Sequence, residues 1–195
     1  SDVLYDPGVN PTRPAAMSVA GVARDLAARQ GVPFALPEPD VAESGDGAAG
    51  RVSVEILDPE LCGRFGLRVL DGVSVGTSPR WLVNRLNALG QRSINSVVDA
   101  SNYVMLELGQ PNHTYDLARV AGGAFRIRRA GEGEAIQTLD GVERTLTAAD
   151  GVIADGDDVA VGIAGIMGGA NTEIGAGTTT VALEMAWWDP KTIAA

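Results

Sequence analysis

The sequence predicts an α+β fold: antiparallel sheets with flanking helices, a β-rich, barrel-like second half and a small helical N-terminal piece. Three observations carry this expectation. VAGVARDLAARQ sets Val19, Val22, Ala23, Leu26 and Ala27 at helical spacing behind Ser18, a residue type suited to an N-cap. RVSVEIL and FGLRVL alternate, with Val52, Val54 and Ile56 on one face of the first and Phe65, Leu67 and Val69 on one face of the second. From Gly122 onward, short apolar runs are separated by turn residues.

Taken in chain order, Gly31 and Pro33 end the first helix. PEPDVAESGDGAAG, rich in Pro, Gly, acid and Ala, then reads as a linker. The expected organisation is a helical piece at 1–36, a linker at 37–50 and a module at 51–195. Within the module, TSPRWLVNRLNALG predicts a helix capped by Ser78, opened by Pro79 and stopped by Gly90. SVVDASNYVMLELG predicts another, in which Ser96 and Asp99 resemble a capping box; Gly109 closes it and Gln110-Pro111 forces an extended exit. FRIRR, AIQTL, VERTL, VIAD and VAVGIAG are strand-like, and Asp140-Gly141 marks a hairpin between two of them. GIAGIMGGAN is a glycine-rich bend, and TTTVALEMAWW is a last strand stopped by Asp189-Pro190.

Composition narrows the chemistry. At 45% hydrophobic residues the chain can bury a core, and no run approaches the ~18 apolar residues of a membrane span. No basic region followed by an apolar one opens the chain, so the expected location is the cytoplasm. A net charge of −10 argues against a broad phosphate-tracking surface, though not against contact with the tip of a nucleic acid. Arg126, Arg128 and Arg129 form the densest basic patch. Cys62 is the only cysteine, which excludes an internal disulfide and a Cys-based zinc site; no metal is expected.

Three places break the local pattern. His113, the only histidine, follows a Gly-Gln-Pro turn and alone can change charge near neutral pH; the plainer reading is a surface or satisfied histidine. Glu184 shares a strand face with Ala182, Ala186 and Trp188, while Val181, Leu183, Met185 and Trp187 take the other. It either faces water or is a buried carboxylate among small neighbours that leave room for a ligand ring, in which case it needs a partner. Gly162, Gly165, Gly168 and Gly169 either let a ligand approach backbone N–H groups or make a tight bend at a barrel corner. No Gly-Lys-Ser/Thr follows them, so this is no phosphate loop, and no G-x-S-x-G elbow is present. Ser101 and Asn102 lie late on the second module helix, and a triad with His113 stays open because triads are spatial.

Together, INSVVDASNYVMLELGQPNHTYDL, LDGVERTL, VIAD, AGIMGG and ALEMAWWDP resemble the beta subunit of bacterial phenylalanyl-tRNA synthetase, in its editing module. VNPTRPAAMSVAGVARDLAA is similar to the stretch just before that module, so the resemblance covers nearly the whole chain. It implies hydrolysis of tyrosine misattached to the 3′ end of tRNA(Phe), or, as the alternative, a non-catalytic scaffold or tRNA 3′-end-binding module. By position, Glu184 matches the glutamate that binds the tyrosine hydroxyl, Gly165 and Gly168 match glycines lining the ring pocket, His113 matches the histidine near the scissile ester, and Ser101 and Asn102 match a Thr-Asn pair at the pocket mouth. The resemblance further implies an alpha subunit in a heterotetramer of two alpha and two beta, ATP and magnesium for the whole enzyme, and no cofactor in this segment. Ser101 replaces the usual Thr, Asn112 replaces an apolar residue, and the family pattern continues past Ala195 into a segment that helps wall the pocket.

Overall fold

The computed structural model describes residues 3–5, 8–10 and 12–194. The chain forms two compact units, one from residues 1–45 and 76–111, the other from 46–75 and 112–195. Packing therefore groups the two module helices with the N-terminal piece, where the sequence suggests a single division at 37–50. The helix at 96–108 packs against both the helix at 19–30 and the helix at 80–88.

The first unit is helical. Its α1 spans Val19–Gln30; Ser18 caps it, with Oγ accepting from Gly21 N at 3.0 Å, and Gly31 ends it in the left-handed conformation at φ 66°. Its buried positions are Gly21 and Ala27, whereas Val19 and Leu26 are exposed. Gly21 is buried because the helix lies directly on the turn before it: a Cβ there would stand 1.6 Å from the Ala15 carbonyl oxygen.

The helices α2 (Arg80–Ala88) and α3 (Ser96–Leu108) form where predicted, with different caps. Asn95, not Ser96, caps α3, its Oδ1 accepting from Val97 N and Val98 N at 3.1 and 3.0 Å. Ser78 does not cap α2; its hydroxyl donates to Asp99 Oδ2 at 2.5 Å. Asp99 is fully buried and also accepts from Ser93 Oγ at 2.5 Å and Ile94 N at 2.7 Å. Burial alone would raise its pKa, but the hydrogen bonds from Ser78, Ser93 and Ile94 outweigh it and hold the carboxylate below its ordinary range. It thus ties the start of α2 to the start of α3. Asp99→Ala strands three donors and should lower the midpoint of urea unfolding by an amount equivalent to roughly 2–4 kcal/mol. An unchanged midpoint would show that water replaces the carboxylate at little cost.

The second unit is built on sheets. A three-stranded antiparallel sheet has the order β2 (Cys62–Asp71), β10 (Thr180–Trp188), β3 (His113–Asp116). A five-stranded sheet has the order β1 (Ser53–Ile56), β4 (Ala124–Arg129), β7 (Gly151–Ala154), β8 (Ala160–Ile163), β9 (Met167–Gly168). All its pairings are antiparallel except β1 with β4, which is parallel. The sheets face each other over a core of Phe65, Tyr115, Phe125, Ile127, Val161 and Ala182, so the barrel-like half is two open sheets in contact.

A hairpin of β5 (Ala135–Gln137) and β6 (Glu143–Thr145) covers the outer face of the larger sheet, where Ile136 and Leu146 meet Val152 and Ile163. That double cover is why VIAD and AVGI read as unbroken apolar runs. Gly141 supplies the positive φ of 78° that the hairpin turn needs. A short α4 (Pro190–Ile193) follows β10, capped by Asp189.

The predicted basic patch is internally neutralised. Arg126 pairs with Glu55 and Asp158, Arg128 with Glu134 and Asp158, and Arg129 with Asp58. These guanidinium groups are engaged in holding β4 to its surroundings. No helix among the described residues is long and apolar enough to cross a membrane.

Candidate functional site

The centre of the smaller sheet brings three side chains together. β10 pairs with β3 so that Glu184 stands opposite His113 and Ala182 opposite Tyr115. Alternation puts His113 and Tyr115 on one face of β3, and Glu184 and Ala182 on the same face of the sheet, turned toward the larger sheet. The small Ala182 leaves room for the Tyr115 ring, and Tyr115 Oη donates to Glu184 Oε2 at 2.5 Å. Tyr115 is fully buried, gripped edge-on by His113 at 4.5 Å between ring centroids and by Phe125 at 5.1 Å.

Glu184 is thus a buried carboxylate, 7% exposed, and not a solvent-facing one. The odd-numbered face of β10, although more apolar, is covered only at its start, where Val181 is fully buried; farther along it Met185 and Trp187 are exposed. Burial pushes the Glu184 carboxyl up to about 7, with the Tyr115 hydrogen bond acting the other way. The Tyr115 phenol is raised well above its ordinary value by burial and by the adjacent carboxylate. Burial also depresses His113 to about 4, so its imidazole is neutral at physiological pH. A neutral imidazole beside a carboxylate that ionises near neutrality can orient water or a hydroxyl, and the carboxylate can accept a hydrogen bond from a phenol.

The glycines divide. Gly168, on β9, lies against the His113 ring: a Cβ there would come within 2.3 Å of Nε2 and 2.4 Å of Cε1. A Cβ on Gly162 would lie 3.6 Å from Tyr115 Oη. Gly165 holds the turn between β8 and β9 at φ 68°, and its Cβ position faces Trp188 and Ile193 at 3.1 and 3.2 Å. Ser101 and Asn102 sit on α3, in the helical unit. A cavity of about 330 Å³ in that unit is lined by Val19, Arg85, Leu89, Tyr103 and Leu106, with none of the predicted site residues among its walls.

Tyr115 is the member of the cluster that sequence reading does not single out. HTYD is too short for its alternation to stand out, and only the pairing with β10 shows what the hydroxyl reaches.

A family model described as the B3/4 domain matches residues 61–195. The chain belongs to the B3/4 domain family. The B3/4 match runs from just before β2 to the end of the chain and so contains His113, Glu184, every strand of the second unit except β1, and α2 and α3. Among curated proteins the chain is similar to the phenylalanine–tRNA ligase beta subunit of Anaeromyxobacter dehalogenans, with 50% identity over 97% of this chain and 24% of that protein. It is 46% identical to the beta subunit of Geobacter sulfurreducens, over 98% of this chain and 24% of that one. The chain spans about a quarter of the length of the curated relatives it matches. Among solved structures, an N-terminal fragment of the phenylalanyl-tRNA synthetase beta subunit from Pyrococcus horikoshii has the same fold, with a TM-score of 0.51 and 15% identity over 92% of this chain and 54% of that one.

Proposed function

We propose that this B3/4 chain is the editing segment of a phenylalanine–tRNA ligase beta subunit, hydrolysing the ester that joins misattached tyrosine to the 3′ end of tRNA(Phe). One observation carries the reading: the buried carboxylate of Glu184, cross-strand from the only histidine, already accepts a hydrogen bond from a phenolic hydroxyl, that of Tyr115. A group placed to accept one phenol is chemically suited to accept another.

The reaction needs such a group. A pocket shaped for phenylalanine rejects an added hydroxyl only weakly, by roughly 10²-fold. A second site that hydrogen-bonds the hydroxyl discriminates better, because phenylalanine would leave a buried polar group without its partner. In this reading Glu184 selects tyrosine and His113 sits at the ester. Its pKa of about 4 makes it a weak base, so it acts by orienting water or the terminal ribose. Gly168 leaves space for the imidazole, and Gly165 shapes the neighbouring bend. The whole enzyme would pair two such subunits with two alpha subunits and use ATP and magnesium for charging. Among the described residues no group of three or more His, Cys, Asp or Glu side chains is arranged to hold a metal ion.

The test is deacylation of Tyr-tRNA(Phe) and Phe-tRNA(Phe) by the purified chain. Selective release of tyrosine is expected, and His113→Ala should slow it about 10²-fold. Binding of the tRNA end without turnover would instead make the chain a 3′-end-binding module.

A further inference from the structure

Glu184 owes its geometry to a residue that the editing reading does not use. Its neighbours on β10 and its cross-strand partner on β2, Leu67, offer no donor. Three titratable groups pack around it: His113 and Tyr115 on β3, and Cys62 on β2, whose buried thiol donates to the Arg64 carbonyl and is pushed up by burial. Among the described residues, Tyr115 Oη is its one hydrogen-bond donor, and it takes Oε2 only.

We propose that Tyr115 is a positioning and specificity-determining residue: its hydroxyl pins Oε2 of Glu184 and so presents Oε1, as an ionised acceptor, to the phenol of the substrate. The proposal rests on the editing reading of the same site. Tyr115 is suited to a fixed pin and unsuited to a movable plug. It is fully buried, its ring is held by His113 and Phe125, and Ala182 and Gly162 make the space it fills. A hydrogen bond to the charged form of a buried carboxylate favours that form. A charged acceptor also binds a phenol about twice as strongly as a neutral one.

Tyr115→Phe removes one oxygen and keeps the ring. The probes are the stable amide analogues of the charged terminus, 3′-deoxy-3′-(tyrosylamino)adenosine and its phenylalanyl counterpart, titrated calorimetrically from pH 6 to 8.5. Both carry the same amino group, so its ionisation cancels in the ratio of affinities. In the unaltered chain the preference for the tyrosyl probe should rise through about pH 7, where Glu184 ionises. In Tyr115→Phe that rise should move up by about one pH unit or more, so the preference drops several-fold at pH 7 and returns by pH 8.5. A carbon-13 NMR titration of the Glu184 carboxyl should show the same displacement. If the unaltered chain prefers the tyrosyl probe and Tyr115→Phe keeps the same pH profile, the pin is refuted and the editing reading stands. If the unaltered chain shows no preference at any pH, the editing reading falls and the pin falls with it.

Discussion

Replacing Gly168 with alanine should displace His113 and cost both stability and hydrolysis. The glycine has an ordinary backbone conformation, so alanine brings no φ/ψ strain; the obstacle is the imidazole, 2.3 Å from the new methyl carbon at Nε2. No real Cβ tolerates such a contact, and the ring is itself packed against Tyr115, 4.5 Å away between centroids. Overpacking of this kind costs about 1–3 kcal/mol. A side chain moved by about 1 Å at the ester should lower deacylation of Tyr-tRNA(Phe) about 10²-fold. The double variant decides whether the clash is the cause. With His113 trimmed to alanine, the nearest remaining atom is Leu139 Cδ1 at 3.2 Å, so Gly168→Ala should then be nearly free of stability cost. Additive losses in the double variant would mean that Gly168 matters for some other reason.

Glu184→Gln should make the protein more stable in mild alkali. The ordinary value for this carboxyl is 4.5, and burial lifts it to about 7. Below pH 4.5 it is protonated in both the folded and the unfolded chain. Between pH 4.5 and 7 the unfolded chain ionises while the folded one keeps its proton, so stability falls as pH rises. Above about pH 7 the whole penalty, about 3 kcal/mol, is in place. His113 acts in the opposite sense. Its value drops from 6.5 to about 4 on folding, so stability is lost as pH falls through that window. The two slopes largely offset each other between pH 4.5 and 6.5. Glutamine can still accept from Tyr115 but cannot ionise, so the gap between variant and parent should widen from pH 5 to pH 8. Urea unfolding at pH 5, 6.5 and 8 measures it. A gap of constant size would mean that Glu184 is not ionising in the folded protein over this range.

Local signals were legible where chemistry acts within a few residues. Ser18, Gly31, Gly90, Gly109 and the Asp140-Gly141 turn mark boundaries that the structure keeps, since caps and turns satisfy backbone groups next to them. Errors came where a distant residue outbid a local one. Ser78 and the predicted Ser96–Asp99 box are given over to a buried carboxylate that three separated donors share. Arg126 and Arg129 of the basic patch meet only acids distant in the chain, and Arg128 meets Asp158 as well as nearby Glu134, pairings that a count of neighbouring charges does not reveal. Glu184 is the sharpest case. Hydrophobicity favours the odd face of its strand as the inner one, yet pairing with β2 and β3 turns the even face toward the second sheet.

By itself the sequence determined the helices, the hairpin, the strand alternation and, through its motifs, the family to which the chain belongs. Only the tertiary structure decided that a glutamate, a histidine and a tyrosine would share one buried face. Periodicity says which side chains lie together on a strand, but not which side is covered or what stands opposite. Those follow from strand pairing across 69 residues of chain, where a register shift of one residue would send Tyr115 to the other face and leave Glu184 without its donor.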